Sequence, residues 1–398
     1  MACRANIGFE RNYRRLALVL IGVNCAMVIK KLAVTLAMVA FLTGFSHDRV
    51  EARDNPSAQK QGEFAEFLES FRKENSIRAL TAVIVKDQSI AWELALGTSD
   101  DEGEIATTMD TTFSIASVTK PIAATAILKE ASAKRLSLDL SLSSDPGWDD
   151  FCEWFSGSDI VFGGGGAAAD GSPIAAVDCS RNLTLTDILN MRVNGAPDSR
   201  FVYNPMTYAR IDRAIEGAGK RPLRSIVREN VLTPAGMENV ALGWHDPDGG
   251  SALRLLAPPF SVNEEGRSEK NSFSDDDFRA AAGIKASARH LVQFDIALDA
   301  GELLPRDWME QIFNDDALPL DGDYRWGWFA QDWQGKRLYW HSGWDPDRYS
   351  AIYLKIPDQN LTLIVLANNE RLWWGNSLIR AEIDKSPVVA KFLAQFVR

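Results

Sequence analysis

The sequence has few histidines and cysteines and a deficit of positive charge. It contains four of each in 398 residues, and His245, His290 and His341 show no H-x-x-x-H or H-x-H spacing for zinc. No G-x-S-x-G segment occurs, which argues against an unrelated Ser-His-Asp hydrolase, and the glycines at 163–166 are not followed by the G-K-[ST] of a phosphate-binding loop. The formal net charge is −11, so nucleic acid is not expected as a partner.

Two apolar runs of 14 residues, 16–29 and 32–45, lie near the N-terminus, and each is short for a membrane span. The second precedes Val50-Glu51-Ala52, which has the small-residue spacing of a signal-peptidase site. We predict that residues 1–52 are a signal peptide, with Met27 as a candidate true start, or alternatively an uncleaved N-terminal anchor. Export to the periplasm or the extracellular space is expected in both cases. Without these residues the net charge is −15.

The cysteines that remain after residue 52 are Cys152 and Cys179. Both lie in residues 145–181, a glycine- and alanine-rich stretch that we predict to be an irregular insert. Two cysteines within one insert of an exported protein indicate a disulfide that closes it. Two free thiols are the alternative, because a sequence does not fix the distance between two Cα atoms.

The most informative stretch is residues 113–121, which contains Ser117 and Lys120 ahead of an apolar helix. Three-residue spacing on a helix places both side chains on one face. A serine hydroxyl needs a neighbouring base to act as a nucleophile, and a desolvated lysine has a lowered pKa and can accept the proton. A second S-x-x-K, from Ser57 to Lys60, has no apolar helix behind it, and short motifs need such a context.

The hydrophobic periodicity predicts one α+β domain over residues 62–398, after a polar linker at 53–61. A helix at 62–75 and a hairpin at 79–96 precede the Ser117 helix, several helices occupy the middle, and a strand-rich meander leads to a final helix at 376–397. Strands at both ends of the chain favour one antiparallel sheet built from both termini. Helices would flank that sheet, with a mainly helical subdomain between its two parts.

These features together resemble the serine β-lactamase and penicillin-binding-protein superfamily, within it the class C β-lactamase, D,D-peptidase and esterase-like branch. The resemblance covers nearly all of residues 62–397. The matching stretches, in the order of the family, are residues 113–120, 136–139, 201–203 with Tyr208, 234–237, 281–286, 326–328, 341–343 and 364–368.

The resemblance implies an acyl-enzyme mechanism without a metal or an organic cofactor. Ser117 would be the nucleophile and Lys120 its proton acceptor. Tyr203 would share the acid–base work, because a tyrosine beside a lysine ammonium ionises more easily, although a half-buried core tyrosine is the alternative. His341 would replace the lysine of the third motif. The backbone N–H groups of Ser117 and Trp344 would form the oxyanion hole.

Ser342 and Gly343 would complete the substrate-binding strand, the glycine allowing substrate to approach the backbone. Two positions depart from the family pattern. Pro205 stands where the family has asparagine, so either Asn204 substitutes or that contact is missing, and Trp344 stands where a small residue is usual. We therefore expect an exported esterase or D,D-carboxypeptidase-like hydrolase of small esters, amides or peptides rather than an efficient β-lactamase. The alternative is a penicillin-binding or ligand-sensing protein with little or no turnover.

Overall fold

The computed structural model describes residues 56–313 and 317–398. The predicted leader at 1–52 and the first residues of the predicted linker lie outside the described residues. The α-helices of the described ranges are α1 (Pro56–Glu74), α2 (Thr119–Ser132), α3 (Trp148–Ser156), α4 (Val161–Gly164), α5 (Leu185–Leu189), α6 (Pro205–Tyr208), α7 (Ile211–Gly217), α8 (Leu223–Val227), α9 (Gly250–Arg254), α10 (Ala288–Asp299), α11 (Arg306–Ile312) and α12 (Pro387–Phe396).

The strands of the same ranges are β1 (Ala79–Lys86), β2 (Ser89–Gly97), β3 (Phe113–Ser114), β4 (Gly166–Ala167), β5 (Pro173–Ile174), β6 (Ala241–Leu242), β7 (Phe260–Val262), β8 (Ser268–Lys270), β9 (Ile284–Ala286), β10 (Asp323–Arg325), β11 (Trp328–Trp333), β12 (Lys336–Asp345), β13 (Tyr349–Ile356) and β14 (Leu361–Ala367). Helices and strands therefore alternate in blocks, as in an α+β protein.

The main sheet has seven antiparallel strands in the order β10-β11-β12-β13-β14-β1-β2. Its centre joins the two ends of the chain, because β1 pairs with β14 from Leu80 opposite Ala367 to Lys86 opposite Leu361. All residues of β13 and β14 are buried, since helices cover the faces of a sheet whose central strands read as continuous apolar runs. The predicted sheet built from both termini is confirmed.

Strand β12 is paired along only part of its length. Strand β11 pairs with it from Lys336 to Trp340, whereas β13 pairs with it as far as Asp345. From His341 onward, β12 therefore has no strand partner on the β11 side within the described residues. A free strand edge of this kind offers backbone N–H and C=O groups to a ligand.

Helix α2 occupies the centre of the molecule, and 11 of its 14 residues are buried. It packs against α8, while α10 packs against β1 and β14. A helix that is covered on nearly all sides is rich in small and aliphatic residues, as in the run from Ile122 to Leu128. Any polar side chain at its buried head is thus held away from bulk water.

Several boundaries differ from the sequence-based expectation. Helix α1 begins at Pro56 rather than at residue 62, so residues 56–61 of the predicted linker are helical. The final helix begins at Pro387, which occupies its first turn, rather than at 376. Proline fits that turn because the first N–H groups of a helix have no intrahelical partner. The segment ahead of it is instead held by side chains of the sheet.

The insert at 145–181 is more ordered than predicted. It contains α3, whose Trp148, Cys152 and Phe155 form a buried face at helical spacing, and a short hairpin of β4 and β5. Cys152 and Cys179 form a disulfide across 27 residues. Buried aromatic side chains and a covalent link together fix a segment that has little regular secondary structure of its own.

Candidate active site

Ser117 lies in a single 3₁₀ turn, Ala116–Val118, immediately before α2. Ala116 has φ +44°, a left-handed conformation that is uncommon for a residue with a side chain and often marks a functional turn. Lys120 is the second residue of α2, so both side chains leave the backbone on the same side. The Lys120 Nζ donates to the Ser117 Oγ over 2.8 Å.

The Lys120 side chain is fully buried. Its Nζ also donates to the Ala281 carbonyl at 2.8 Å, and it lies 5.1 Å and 5.5 Å from the ring centroids of Tyr203 and Tyr208. Burial holds the pKa of Lys120 well below its usual range, because a charged ammonium loses its hydration there. Burial therefore favours the neutral form of the amine, the form that can accept a proton.

Tyr203 lies just before α6 and is part-buried beside the nucleophile. Its backbone N–H donates to the Leu378 carbonyl over 2.6 Å, and its hydroxyl forms a hydrogen bond with Ser117. Burial raises the pKa of Tyr203 above its usual value, an effect that the Ser117 hydrogen bond only partly offsets. The expected easier ionisation beside Lys120 is thus wrong for this geometry. Tyr203 is a neutral hydroxyl that can donate a proton.

His341 is fully buried on β12 and both ring nitrogens have partners. Nδ1 lies 2.7 Å from the Ser342 carbonyl oxygen, to which it must donate, so Nε2 accepts from the Tyr324 hydroxyl at 3.1 Å. Burial lowers the pKa of His341 well below its usual range. Its ring packs 5.7 Å from the ring of Tyr203. The neutral imidazole therefore supports Tyr203 from behind, through packing.

Gly343 brings β12 close to the nucleophile. A Cβ at this position would lie 2.3 Å from the Ile115 carbonyl oxygen, closer than any side chain tolerates. The glycine is therefore required for approach of the Ile115–Ser117 segment, whereas the sequence had suggested approach of substrate. Two N–H groups are predicted to form the oxyanion hole. One belongs to Ser117, two residues after Ile115, and the other to Trp344, the residue after Gly343, so the contact between Ile115 and Gly343 brings the two together.

Asn204 has a fully buried side chain that caps α6. Its Oδ1 accepts from the Thr207 N–H at 3.1 Å, and its Nδ2 donates to the Phe162 carbonyl at 2.8 Å and to the Asn194 Oδ1 at 3.1 Å. The amide is committed at both ends to the protein. It joins the insert to α6 and does not take the place of the amide that Pro205 lacks.

Ser342 and Trp344 point to the opposite face of β12 from His341, because side chains alternate along a strand. The Ser342 hydroxyl donates to the Asn376 Oδ1 over 3.1 Å. The Trp344 indole is 40% exposed and stacks on Trp373 with ring centroids 4.1 Å apart. The predicted substrate-binding strand therefore has an aromatic surface on this face.

The other histidines of the described ranges, His245 and His290, have no part in this cluster. His245 pairs with Asp275 at the surface over 2.6 Å, and His290 accepts from the Ser287 N–H at 3.1 Å as part of the capping box of α10. Within residues 56–313 and 317–398, no group of three or more His, Cys, Asp or Glu side chains is arranged to hold a metal ion. The second S-x-x-K motif lies in α1, outside the cluster.

The sequence did not single out three contacts that shape the site. Tyr324 completes the hydrogen bonding of His341, the Ala281 carbonyl fixes Lys120, and Tyr208 places its ring beside the Lys120 amine. Ala281 and Tyr208 lie in stretches that match the family, which gave some signal for them. Tyr324 comes from the edge strand β10, just before the matching stretch 326–328 but outside it, and the fold brings its hydroxyl to His341.

The seven-stranded antiparallel sheet, the buried helix and the Ser–Lys pair at its head define the serine β-lactamase and penicillin-binding-protein superfamily, which confirms the resemblance. The family model described as Beta-lactamase matches residues 64–372. The chain belongs to the β-lactamase family.

The chain is similar to curated proteins at low sequence identity. Protein flp of Staphylococcus aureus strain MW2 is 22% identical over 321 residues, which are 76% of this chain and 61% of that protein. The flp protein of strain N315 is also 22% identical, over 77% of this chain and 63% of its own length. The chain thus spans less than two thirds of these relatives.

Solved structures share the fold at low identity. The octameric penicillin-binding protein homologue from Pyrococcus abyssi has a TM-score of 0.61 at 18% identity, over 84% of this chain and 77% of that one. A class C β-lactamase from Rhodobacter sphaeroides has a TM-score of 0.61 at 13% identity, over 86% of this chain and 100% of that one. D-amino acid amidase from Ochrobactrum anthropi SV3 has a TM-score of 0.59 at 15% identity, over 84% of this chain and 98% of that one.

Proposed function

We propose that the protein is an exported serine hydrolase that acts through an acyl-enzyme on Ser117, on an ester or a small amide or peptide. The observation that carries this proposal is the buried Lys120 amine, whose Nζ lies 2.8 Å from the Ser117 Oγ. A neutral amine at this distance is a general base, a contribution of about 10²- to 10⁴-fold to the rate. A lysine with only a structural role would be expected to have a carboxylate partner.

In the acylation step, the Ser117 Oγ forms a bond to the substrate carbonyl carbon while its proton passes to the Lys120 Nζ. The carbonyl π electrons move to the oxygen, which the N–H groups of Ser117 and Trp344 would stabilise. When the carbonyl re-forms, the bond to the leaving group breaks, and the Tyr203 hydroxyl donates the proton that this group needs. Tyr203 then recovers a proton from the Lys120 ammonium.

Deacylation repeats these steps with water as the nucleophile. The water proton passes to Lys120, the ester bond to Ser117 breaks, and the serine oxygen regains its proton. The raised pKa of Tyr203 keeps its hydroxyl protonated in the resting state, which favours its role as the donor in both steps. No metal or organic cofactor is required by this sequence of transfers.

The test is intact-mass spectrometry and turnover of the full chain with p-nitrophenyl acetate and, separately, a fluorescent penicillin. We expect a covalent adduct and ester turnover in the wild type. Ser117→Ala should lose the adduct and lower kcat/KM by about 10⁴-fold or more. Ser57→Ala is the matched control, because it removes the serine of the other S-x-x-K motif and should leave both readouts unchanged. Equal behaviour of wild type and Ser117→Ala would contradict the proposal.

A second candidate function is a penicillin-binding or ligand-sensing protein with little turnover. It is favoured by Pro205, which offers no side-chain amide to Lys120, and by Asn204, whose amide is committed to Phe162, Asn194 and Thr207. Deacylation would then be slow. A stable Ser117-dependent penicillin adduct without ester turnover would support this function over the first.

Export is part of the proposal and is supported by the disulfide between Cys152 and Cys179, since such bonds persist in oxidising compartments. Every helix within residues 56–313 and 317–398 is too short or too polar to cross a bilayer. Fractionation of producing cells, with mass analysis of the purified N-terminus, tests export and cleavage together. An intact N-terminus on protein from the cytoplasm would contradict it.

A further inference from the structure

The exposed surface next to the free edge of β12 is aromatic and rigidly held. The rings of Trp344 and Trp373 are stacked 4.1 Å apart at an interplanar angle of 14°. The Trp344 Nε1 donates to the Glu370 Oε2 over 2.8 Å, and the Trp373 Nε1 donates to the Asn376 Oδ1 over 2.5 Å. We call this pair of indoles the tryptophan wall.

The tryptophan wall borders the nucleophile through two connections. Trp344 follows Gly343, which contacts the Ile115 segment that leads to Ser117. On the other side, Asn376 lies two residues before Leu378, whose carbonyl accepts from the Tyr203 N–H at 2.6 Å. The Tyr203 hydroxyl in turn bonds to Ser117, so both connections place backbone neighbours of the tryptophan wall against the segments that carry the active site.

The polar hydrogens on this face are already used. Ser342 donates to the Asn376 Oδ1, as does Trp373, and Trp344 donates to Glu370. An indole nitrogen can only donate, so the Asn376 atom that faces Ser342 and Trp373 is the acceptor Oδ1. The uncharged Nδ2 group is then the hydrogen-bond donor that remains on Asn376. At these contacts an anionic substrate group would therefore meet an indole face, the Glu370 carboxylate and the neutral amide of Asn376.

The cation closest in sequence to Asn376 is also committed. Arg380 forms ion pairs with Asp170 at 2.5 Å and with Asp321 at 3.4 Å. A guanidinium held between two carboxylates is compensated and gives little attraction to a further anion. The surface is thus suited to an uncharged group with an apolar, planar face, because such a group buries indole surface without losing hydration of a charge.

We infer that the tryptophan wall determines specificity: the protein selects esters or amides that carry an uncharged, preferably aromatic group beside β12, and rejects those with a carboxylate there. This inference rests on the proposed hydrolysis at Ser117 where selectivity is measured as kcat/KM, whereas selectivity of binding does not require hydrolysis. Trp344 touches substrate through its side chain, whereas Glu370 and Asn376 position the two rings.

The test compares matched pairs of substrates that differ by one carboxylate. Phenyl acetate against 3-carboxyphenyl acetate varies the leaving group, and 4-nitrophenyl butanoate against 4-nitrophenyl hemisuccinate varies the acyl group. We expect the wild type to prefer the uncharged member of at least one pair by about 10-fold or more in kcat/KM. Trp344→Thr and, separately, Trp373→Leu should reduce that preference to about threefold or less.

Trp154→Thr is the control, because Trp154 is an exposed tryptophan of the insert, 57% accessible and outside the site. It should keep the wild-type preference. Trp344→Phe retains an aromatic face and should keep most of it. Preferences that are equal in wild type and in both tryptophan-wall variants would overturn the inference, as would a wild type that prefers the carboxylate in either pair.

Binding separates this inference from the proposed function. Ser117→Ala protein, which cannot form an acyl-enzyme, is titrated with the same pairs while tryptophan fluorescence is followed. Tighter binding of the uncharged member by about 10-fold, lost in Ser117→Ala/Trp373→Leu, supports the tryptophan wall even if no substrate is turned over. Turnover in the wild type without selectivity in either assay would leave hydrolysis intact and overturn the tryptophan wall.

Discussion

Lys120 and Lys355 are both almost completely buried, and their surroundings are opposite. Lys120, at the head of α2, has the Ser117 hydroxyl, the Ala281 carbonyl and two tyrosine rings around it. Lys355, on β13, lies between two carboxylates of α10, with its Nζ 2.5 Å from the Asp295 Oδ1 and 2.9 Å from Asp299. The depth of burial is therefore similar, but the compensation of charge is not.

The difference in partners reverses the direction of the pKa shift. Burial lowers the pKa of Lys120 and nothing opposes it. Burial also acts to lower the pKa of Lys355, but the Asp295 and Asp299 carboxylates more than offset it, so that this pKa is raised. A buried lysine thus becomes a base or a structural cation according to whether a carboxylate faces it. The four predictions below, of activity, stability, pH dependence and hydrogen bonding, test this contrast.

The largest expected effect is on activity. Lys120→Met should lower kcat/KM for p-nitrophenyl acetate by about 10³-fold, because the general base is lost. Lys355→Met, assayed at a temperature where it remains folded, should stay within about threefold of the wild type. The measurement is initial-rate kinetics, with circular dichroism to confirm folding. Similar losses in both variants would mean that the two lysines do not differ in function.

The second effect is on stability and has the opposite order. Lys355→Met leaves the buried Asp295 without its cation and removes the ion pair to the more exposed Asp299, which should lower the free energy of unfolding by about 3–5 kcal/mol. Lys120→Met removes an uncompensated amine and should change it by less than about 1.5 kcal/mol. Urea denaturation measures both, with the exposed Lys73→Met as the control, expected within about 0.5 kcal/mol of wild type. A destabilisation of Lys120→Met equal to that of Lys355→Met would contradict the assignment.

The features that could be predicted from the sequence are those set by local spacing. Ser117 and Lys120 lie three residues apart on one helix, and the apolar runs of β1 and β14 had to pair in the interior. The two S-x-x-K motifs differ in the helix that follows them, because α2 is buried on nearly all sides whereas α1, which contains Ser57, is buried on one side only. The spacing of apolar and polar residues predicts such features because it follows the repeat of the local helix or strand and does not require knowledge of distant contacts.

The features that could not be predicted depend on residues far apart in the chain. The use of Asn204 as a cap that bonds to Phe162, and the bond from Tyr324 to His341, follow from tertiary packing. The charge state of Tyr203 was predicted in the wrong direction for the same reason. Its burial comes from several elements together, and the burial of the neighbouring Lys120 lowers the pKa of that amine as well.

The pH dependence of stability offers a third and smaller test. The unfolded chain holds the Lys120 proton up to its usual pKa of about 10.4, whereas the folded protein releases it at lower pH. Between these two values the unfolded state binds more protons, so the free energy of unfolding rises with pH. The raised pKa of Lys355 contributes stability that is lost only above its ordinary pKa, so its contribution is constant near neutrality.

We therefore expect the difference in unfolding free energy between wild type and Lys120→Met to move in favour of the wild type from pH 7 to pH 9. Urea titrations at three pH values measure it, with Lys73→Met as the reference for exposed lysines. The value of kcat/KM should also fall as the pH is lowered, because protonation of Lys120 removes the general base. A difference that is flat with pH over this range would mean that Lys120 keeps its charge state on folding.

The smallest expected effect concerns the hydrogen bond behind the site. Tyr324→Phe removes the hydroxyl that donates to the His341 Nε2 at 3.1 Å and leaves this buried nitrogen without its donor. The cost should be about 1–3 kcal/mol of stability. Because the His341 ring packs on Tyr203, a shift of the imidazole should also lower kcat/KM by about three- to tenfold.

Tyr349→Phe is the matched control, since its hydroxyl donates to the Ala257 carbonyl at 2.7 Å and is equally buried, but it does not contact the site. Equal kinetic losses in both variants would show that Tyr324 acts only through stability, whereas a loss confined to Tyr324→Phe would identify it as a positioning residue of the neutral cluster around Lys120.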